Sequence, residues 1–185
     1  MASDPHPLVR AFRPDEWRVY RELRLRALAD SPDAFGSTLA AEQGGSDEDW
    51  AARLARGAAS ENDLPLVTER GRRAVGLLWA RIDPADARTA HLYQMWVTPD
   101  CRRAGAGRLL LETAISWARS RNVRTVVLGV SGSDGPAVHL YRSAGFEAAG
   151  APEPIRPGSR VLAQRMTLDL TQRGPVPLAS DPVRR

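Results

Sequence analysis

The chain contains no lysine, one cysteine and only 6% aromatic residues across its 185 positions. Without lysine, all 26 basic residues are arginines, which keep their charge throughout the accessible pH range. A formal net charge of only +4 therefore lifts the pI to about 10.1. This is not the footprint of a nucleic-acid partner, because the arginines are scattered and 22 acidic residues are interleaved with them. The single Cys101 excludes an internal disulfide framework and fits a reducing compartment. No stretch approaches about 18 uninterrupted apolar residues, and no N-terminal apolar run follows a basic segment, so a cytoplasmic protein without a membrane partner is expected. What is present is ample apolar material: at 43% hydrophobic residues the chain can bury a core of its own without a metal or a disulfide staple.

Residues 1–7 and 171–185 are rich in proline and small polar residues, lack an apolar period and are expected to be disordered, which leaves one domain over residues 8–170. Leu8–Phe12 reads as a first strand. Pro14 and Asp15 open a helix that runs to about Ala29, with Trp17, Tyr20, Leu23, Ala27 and Leu28 near helical spacing. Residues 32–45 read as loop with a helical turn, and Ser46-x-x-Asp49 is a capping-box pattern that starts a second, short helix. Leu64–Glu69 and Ala74–Ile82 flank a turn containing Gly71 and form a hairpin; Pro84–Arg88 reads as a turn and Leu92–Val97 as the next strand. Gly105–Arg121 is an amphipathic helix, Val123–Val130 a strand covered on both faces, and Val161–Leu168 a last strand. Between them lies a helix from about Gly135 to Ala144, stopped by Gly145, with Phe146 folding back on Leu140 or Tyr141. The order predicts a mixed α/β (α+β) sheet.

The segment Met95–Gly107 (MWVTPDCRRAGAG) is the most informative. A strand ends at Val97, Pro99 breaks it, and a glycine-rich turn leads straight into the long helix. The first amides of a helix lack internal partners, and its macrodipole adds positive potential there. Gly105 and Gly107 allow an anion to approach the main chain, and Arg102, Arg103 and Arg108 add charge. Taken alone, the turn is equally a tight strand-to-helix connection, since it has neither the Lys-Ser/Thr of a P-loop nor G-x-G-x-x-G. However, Arg102-x-x-Gly105-x-Gly107, preceded by Val97-x-Pro99, resembles the Arg/Gln-x-x-Gly-x-Gly/Ala signature of the GNAT superfamily of N-acetyltransferases. Asp134-Gly-Pro-Ala137-Val-His-Leu140-Tyr141-x-x-x-Gly145-Phe146 is similar to that family's second motif, in which asparagine usually stands at the position of Asp134. The two motifs span about Leu92–Phe146.

The resemblance implies the GNAT acyl-CoA N-acyltransferase fold: a central, mostly antiparallel sheet flanked by helices, with the parallel strands Leu92–Val97 and Val123–Val130 splayed into a V. It implies acetyl-CoA as cofactor, its pyrophosphate on Arg102, Arg103, Ala104, Gly105, Ala106, Gly107 and Arg108. The pantetheine arm would lie along Met95, Trp96 and Val97 as a pseudo-strand. Asp134 replaces an amide donor by a carboxylate, which repels phosphates unless an arginine pairs with it. Tyr141 matches the family tyrosine that approaches the thioester sulfur as general acid; a core tyrosine beside Leu140 or Phe146 is the other reading. Many members carry a glutamate at the start of this strand where His91 stands. An imidazole there could take the amine proton, although a solvated or structural histidine fits the position too, and His139 is the weaker candidate. The resemblance places acceptor selectivity in the first two helices, their loop and the hairpin. Phe35, Ser37, Thr38, Trp79 and Tyr93 become candidate pocket walls on that basis, each also explicable as packing.

The expected function is transfer of an acetyl group from acetyl-CoA to a primary amine of a small molecule or of a protein or peptide, without a metal. A coenzyme-A-binding module without transfer is the alternative; Asp134 permits it and Tyr141 argues against it. Abundant Trp and Arg, and the frequency of dimers in the family, make a homodimer the expected assembly.

Overall fold

The computed structural model describes residues 6–132 and 134–171. Of the ends expected to lack structure, residues 1–5 and 172–185 lie outside the described residues, whereas Pro7 already belongs to the first strand. Strands β1 (Pro7–Ala11), β2 (Asp63–Arg70), β3 (Arg73–Asp83), β4 (Asp86–Val97), β5 (Thr125–Ser131), β6 (Glu147–Ala148), β7 (Glu153–Pro154) and β8 (Leu162–Asp169) form one sheet. The order is β1-β2-β3-β4-β5-β8-β6, with β7 also on β8, and every pairing is antiparallel except β4 with β5. The mixed sheet expected from the sequence is therefore present, with the parallel pair where it was expected.

Period-2 alternation divides the core into two layers. On β3, Leu78, Ala80 and Ile82 face one side and Leu77 and Trp79 the other. The first side is covered by α4 (Ala106–Ser120), which buries Leu110, Leu111, Ala114, Ile115 and Ala118. The second side receives α1 (Trp17–Asp30), through Tyr20, Leu23, Ala27 and Leu28, and α3 (Asp47–Ala59), through Trp50 and Leu54. α3 starts at the capping box read from the sequence: Ser46 Oγ accepts from the Asp49 amide (3.1 Å), and Asp49 Oδ2 accepts from the Ser46 amide (3.0 Å). Residues 32–45 contain a 3₁₀ turn, Pro32–Ala34, and the short α2 (Leu39–Gln43). None of the described helices is long and apolar enough to cross a membrane.

Two expectations change. The turn over Pro84–Arg88 shrinks, because β4 already begins at Asp86. Asp83 Oδ1 accepts from the Ala85 amide (2.8 Å) and Asp86 Oδ1 from the Arg88 amide (3.0 Å), so side chains satisfy the corner and the ladder runs on. The two-residue strands β6 and β7 have no apolar run of their own and exist only as pairings with β8.

Packing of α3 on β3 is tight at one point. A Cβ on Gly57 would lie 2.2 Å from the Trp79 ring, which is buried and held by its indole N–H on Asp63 Oδ1 (2.7 Å). Gly57→Ala is expected to destabilise the fold by about 1–3 kcal/mol, read as a lower midpoint in urea unfolding. An unchanged midpoint would show that Trp79 can move aside freely.

Candidate active site

β4 and β5 pair only over Thr89–His91 against Thr125–Val127. Beyond that point β4 stays on β3 and β5 on β8, so the inner edges of the two parallel strands part. A cavity of about 950 Å³ opens along them. The splay coincides with a bulge in β4. Between the pairs Leu77↔Trp96 and Trp79↔Tyr93, β4 carries one residue more than β3, and Gln94 takes a left-handed φ of +58°. The extra residue reverses the alternation. Ala90 and Leu92 face the α4 layer before the bulge; after it Met95 and Val97 do, and Trp96 turns to the α1 layer. Left-handed backbone in a non-glycine residue stores strain and persists where surroundings hold it. Here the Tyr20 hydroxyl of α1 donates to Gln94 Oε1 at 2.9 Å.

One loop beyond β4, helix α4 starts without a side-chain cap and without an acidic residue in its first turn. Its N-cap, Gly105, has φ +86°, and a Cβ there would meet nothing within 4 Å among the described residues. Unpartnered amides, helix dipole and open space thus coincide, which is what an anion requires. The arginines around this turn differ in what they do. Arg102 donates from Nε to the Val97 carbonyl (3.0 Å) and forms an ion pair with Asp30, at the end of α1. The Trp96 indole also donates to Asp30 (2.8 Å), and together with Ser31 and Arg102 it holds that carboxyl below its usual range. Arg102 therefore ties the loop to α1. Arg108 bonds Ser143 Oγ (3.1 Å), while Arg103 and Ala104 are exposed. The exposed Asp134 carboxylate lies 3.3 Å from His139 and 4.0 Å from Arg142, so an arginine does accompany it.

Tyr141 sits on α5 (Pro136–Ser143), whose end has the expected glycine stop. Gly145 has φ +92°, and the Phe146 amide reaches back to the Tyr141 carbonyl at 3.0 Å. Tyr141 lines the cavity, its ring packs beside Phe146, and its hydroxyl donates to Met95 Sδ at 3.4 Å. Burial pushes its pKa up to about 12. His91 also lines the cavity; its Nε2 is 3.0 Å from Asp83 Oδ2, and its ring stacks on Tyr93. The Ala85 amide and His91 hold Asp83 below the usual carboxylate range. Of the expected pocket walls, Phe35, Ser37, Trp79 and Tyr93 line the cavity. Thr38 is not among its lining residues; its hydroxyl caps α2 by accepting from the Ala41 amide. Trp96 and Val97 are buried in the two core layers, so only their backbone is suited to a ligand.

Residues 16–146 match the acetyltransferase (GNAT) family. The chain belongs to this family. The GNAT chain is similar to the mycothiol acetyltransferase of Cellulomonas flavigena, with 29% identity over 151 residues, covering 77% of this chain and 41% of that protein. It thus spans less than half the length of that curated relative. The fold matches a GNAT-family acetyltransferase from Streptococcus pneumoniae with a TM-score of 0.75 at 23% identity, over 89% of this chain and 100% of the other. It also matches a phosphinothricin acetyltransferase from Sinorhizobium meliloti, solved in complex with acetyl-CoA, with a TM-score of 0.72 at 18% identity over 88% of each chain.

Several residues at this candidate site escaped the sequence reading. Gln94 was passed over between Tyr93 and Met95, although the broken alternation Leu92–Val97 was a signal of a bulge. Arg24 falls on the apolar stripe of α1, one turn after Tyr20 and one before Leu28, and a cation there was also a visible signal. Asp83 gave none, since its partnership with His91 depends on the hairpin register.

Proposed function

We propose that this GNAT chain transfers the acetyl group of acetyl-CoA directly to a primary amine. The observation that carries the reading is the pairing of an uncapped, open helix start at Gly105 with a splayed strand pair whose cavity is lined by Tyr141. Family membership and the acetyl-CoA complex of the Sinorhizobium neighbour support it. Acetyl-CoA supplies an activated acyl group as a thioester. The amides at the start of α4 receive its pyrophosphate, and the open edge of β4 at Met95–Val97 receives the pantetheine arm. In the transfer a nitrogen–carbon bond forms, the carbon–sulfur bond breaks, the amine loses a proton and the sulfur gains one. Tyr141 donates a hydrogen bond to the sulfur as charge develops there and then its proton, which solvent replaces. His91, with Asp83 holding the Nε2 proton, takes the amine proton at Nδ1.

Thiol release from acetyl-CoA, measured across a panel of small amines and peptides, tests the reading; no release with any amine would defeat it. His91→Gln should then lower the rate most at low pH, where free amine is scarce, and progressively less toward the acceptor's own pKa. An unaltered pH–rate profile would leave His91 a structural residue.

A further inference from the structure

Arg24 is the one charged residue among the described residues that is fully buried, at 2% exposure, and it lies in the wall of the cavity. Its guanidinium sits over the Phe35 ring (4.6 Å), and Nη2 donates to Ser37 Oγ (2.6 Å). Among the described residues, Nε and Nη1 find no hydrogen-bond partner. The carboxylate paired with it, Glu42, is 3.6 Å away and is shared: its second oxygen accepts from Arg53 at 2.7 Å. One carboxylate thus answers two guanidinium groups, and the cavity wall around Arg24 holds a surplus positive charge. A buried cation with unmade hydrogen bonds is costly in a purely structural role. Desolvation accordingly pulls the Arg24 pKa down. The position is also informative. Arg24 follows by one helical turn Tyr20, which holds the Gln94 bulge, so the charge lies about 5–6 Å further along the same helix face.

We infer that the acceptor is a small amino acid, whose carboxylate is bound by Arg24 while its amine lies at the Gln94 bulge. The inference rests on the acetyltransferase reading and narrows its substrate class. A monoanion suits the site better than a phosphate dianion, because Glu42 leaves a surplus of one positive charge.

The test compares α- and ω-amino acids of two to five carbons with their own carboxamides in acetyl-CoA-dependent thiol release. The acids are expected to win by about 10–100-fold in kcat/KM, the range for hydrogen bonds to a charged group. Arg24→Met should erase that preference, leave acetyl-CoA binding unchanged in calorimetry, and keep or raise the thermal midpoint, since Arg53 and Glu42 then form a balanced pair. Carboxamides used as well as acids by the wild type, or a preference that survives Arg24→Met, would overturn the inference. A variant that fails to fold would also count against it, by making Arg24 structural. Should no amine release thiol, ligand-observed NMR of the same acids on the CoA-saturated protein separates the two readings. Acid binding lost in Arg24→Met would uphold the anion site and defeat the transferase; absence of binding would overturn the anion site.

Discussion

Tyr141→Phe is expected to lower kcat by about 10²–10³ with little change in acetyl-CoA affinity. The substitution keeps the ring and its contact with Phe146 and removes only the hydroxyl, whose one bond among the described residues is to Met95 Sδ. A thioether is a weak acceptor, so its loss costs the free protein little, while a sulfur that accumulates charge would gain far more from the same donor. The raised pKa of about 12 fixes the form of the contribution. Below that pH the hydroxyl keeps its proton, so Tyr141 is competent as a donor throughout the working range and contributes no alkaline limb to the rate profile before about pH 12. Full proton transfer in the ground state, toward a thiolate whose conjugate acid lies near ~8.5, is uphill. The hydroxyl therefore acts first as a hydrogen-bond donor to developing charge, and the expected loss is that of one preorganised donor. Steady-state kinetics with a confirmed acceptor measures it; full activity in Tyr141→Phe would return the residue to the core.

Gly105→Glu should weaken acetyl-CoA binding about thirtyfold or more without unfolding the domain. Gly105 has φ +86°, where a side chain costs about 1–2 kcal/mol. The space before it is empty, so bulk alone does no damage to the packing. The carboxylate adds like-charge repulsion of about 1–4 kcal/mol at contact distance from a phosphate; where binding must also restore the strained turn, the sum of about 2–6 kcal/mol corresponds to about thirtyfold or more in Kd. Gly105→Ala separates the terms: it carries the backbone strain without the charge and should bind between wild type and Gly105→Glu. Wild-type affinity in Gly105→Glu, by calorimetry, would move the pyrophosphate away from this helix start.

What the sequence alone determined lies where the physics is local. The strand-to-loop-to-helix run through Val97, Pro99, Gly105 and Gly107 is such a case, because the amides at a helix start depend on the residues beside them. So are the Ser46–Asp49 capping box and the Gly145 stop, each built within a few residues and each found in place. Tyr141, singled out through its motif, lines the cavity. Tertiary structure alone decided what depends on distant segments meeting. The broken alternation over Leu92–Val97 signals a bulge, but its place at Gln94 follows only when β4 is counted against β3, and its strain is held by a tyrosine 74 positions away in the chain. Asp83 becomes the partner of His91 through the hairpin register. Arg102 reads as a phosphate ligand in the motif, yet its guanidinium is engaged by Asp30 of α1. Arg24 stands out on the apolar stripe of α1, but its missing counter-charge shows only once α1 packs on the sheet and Arg53 claims the second oxygen of Glu42. Hydrogen-bond donors at a helix end follow from chain order, whereas the charge balance of a cavity follows only from which side chains burial brings together.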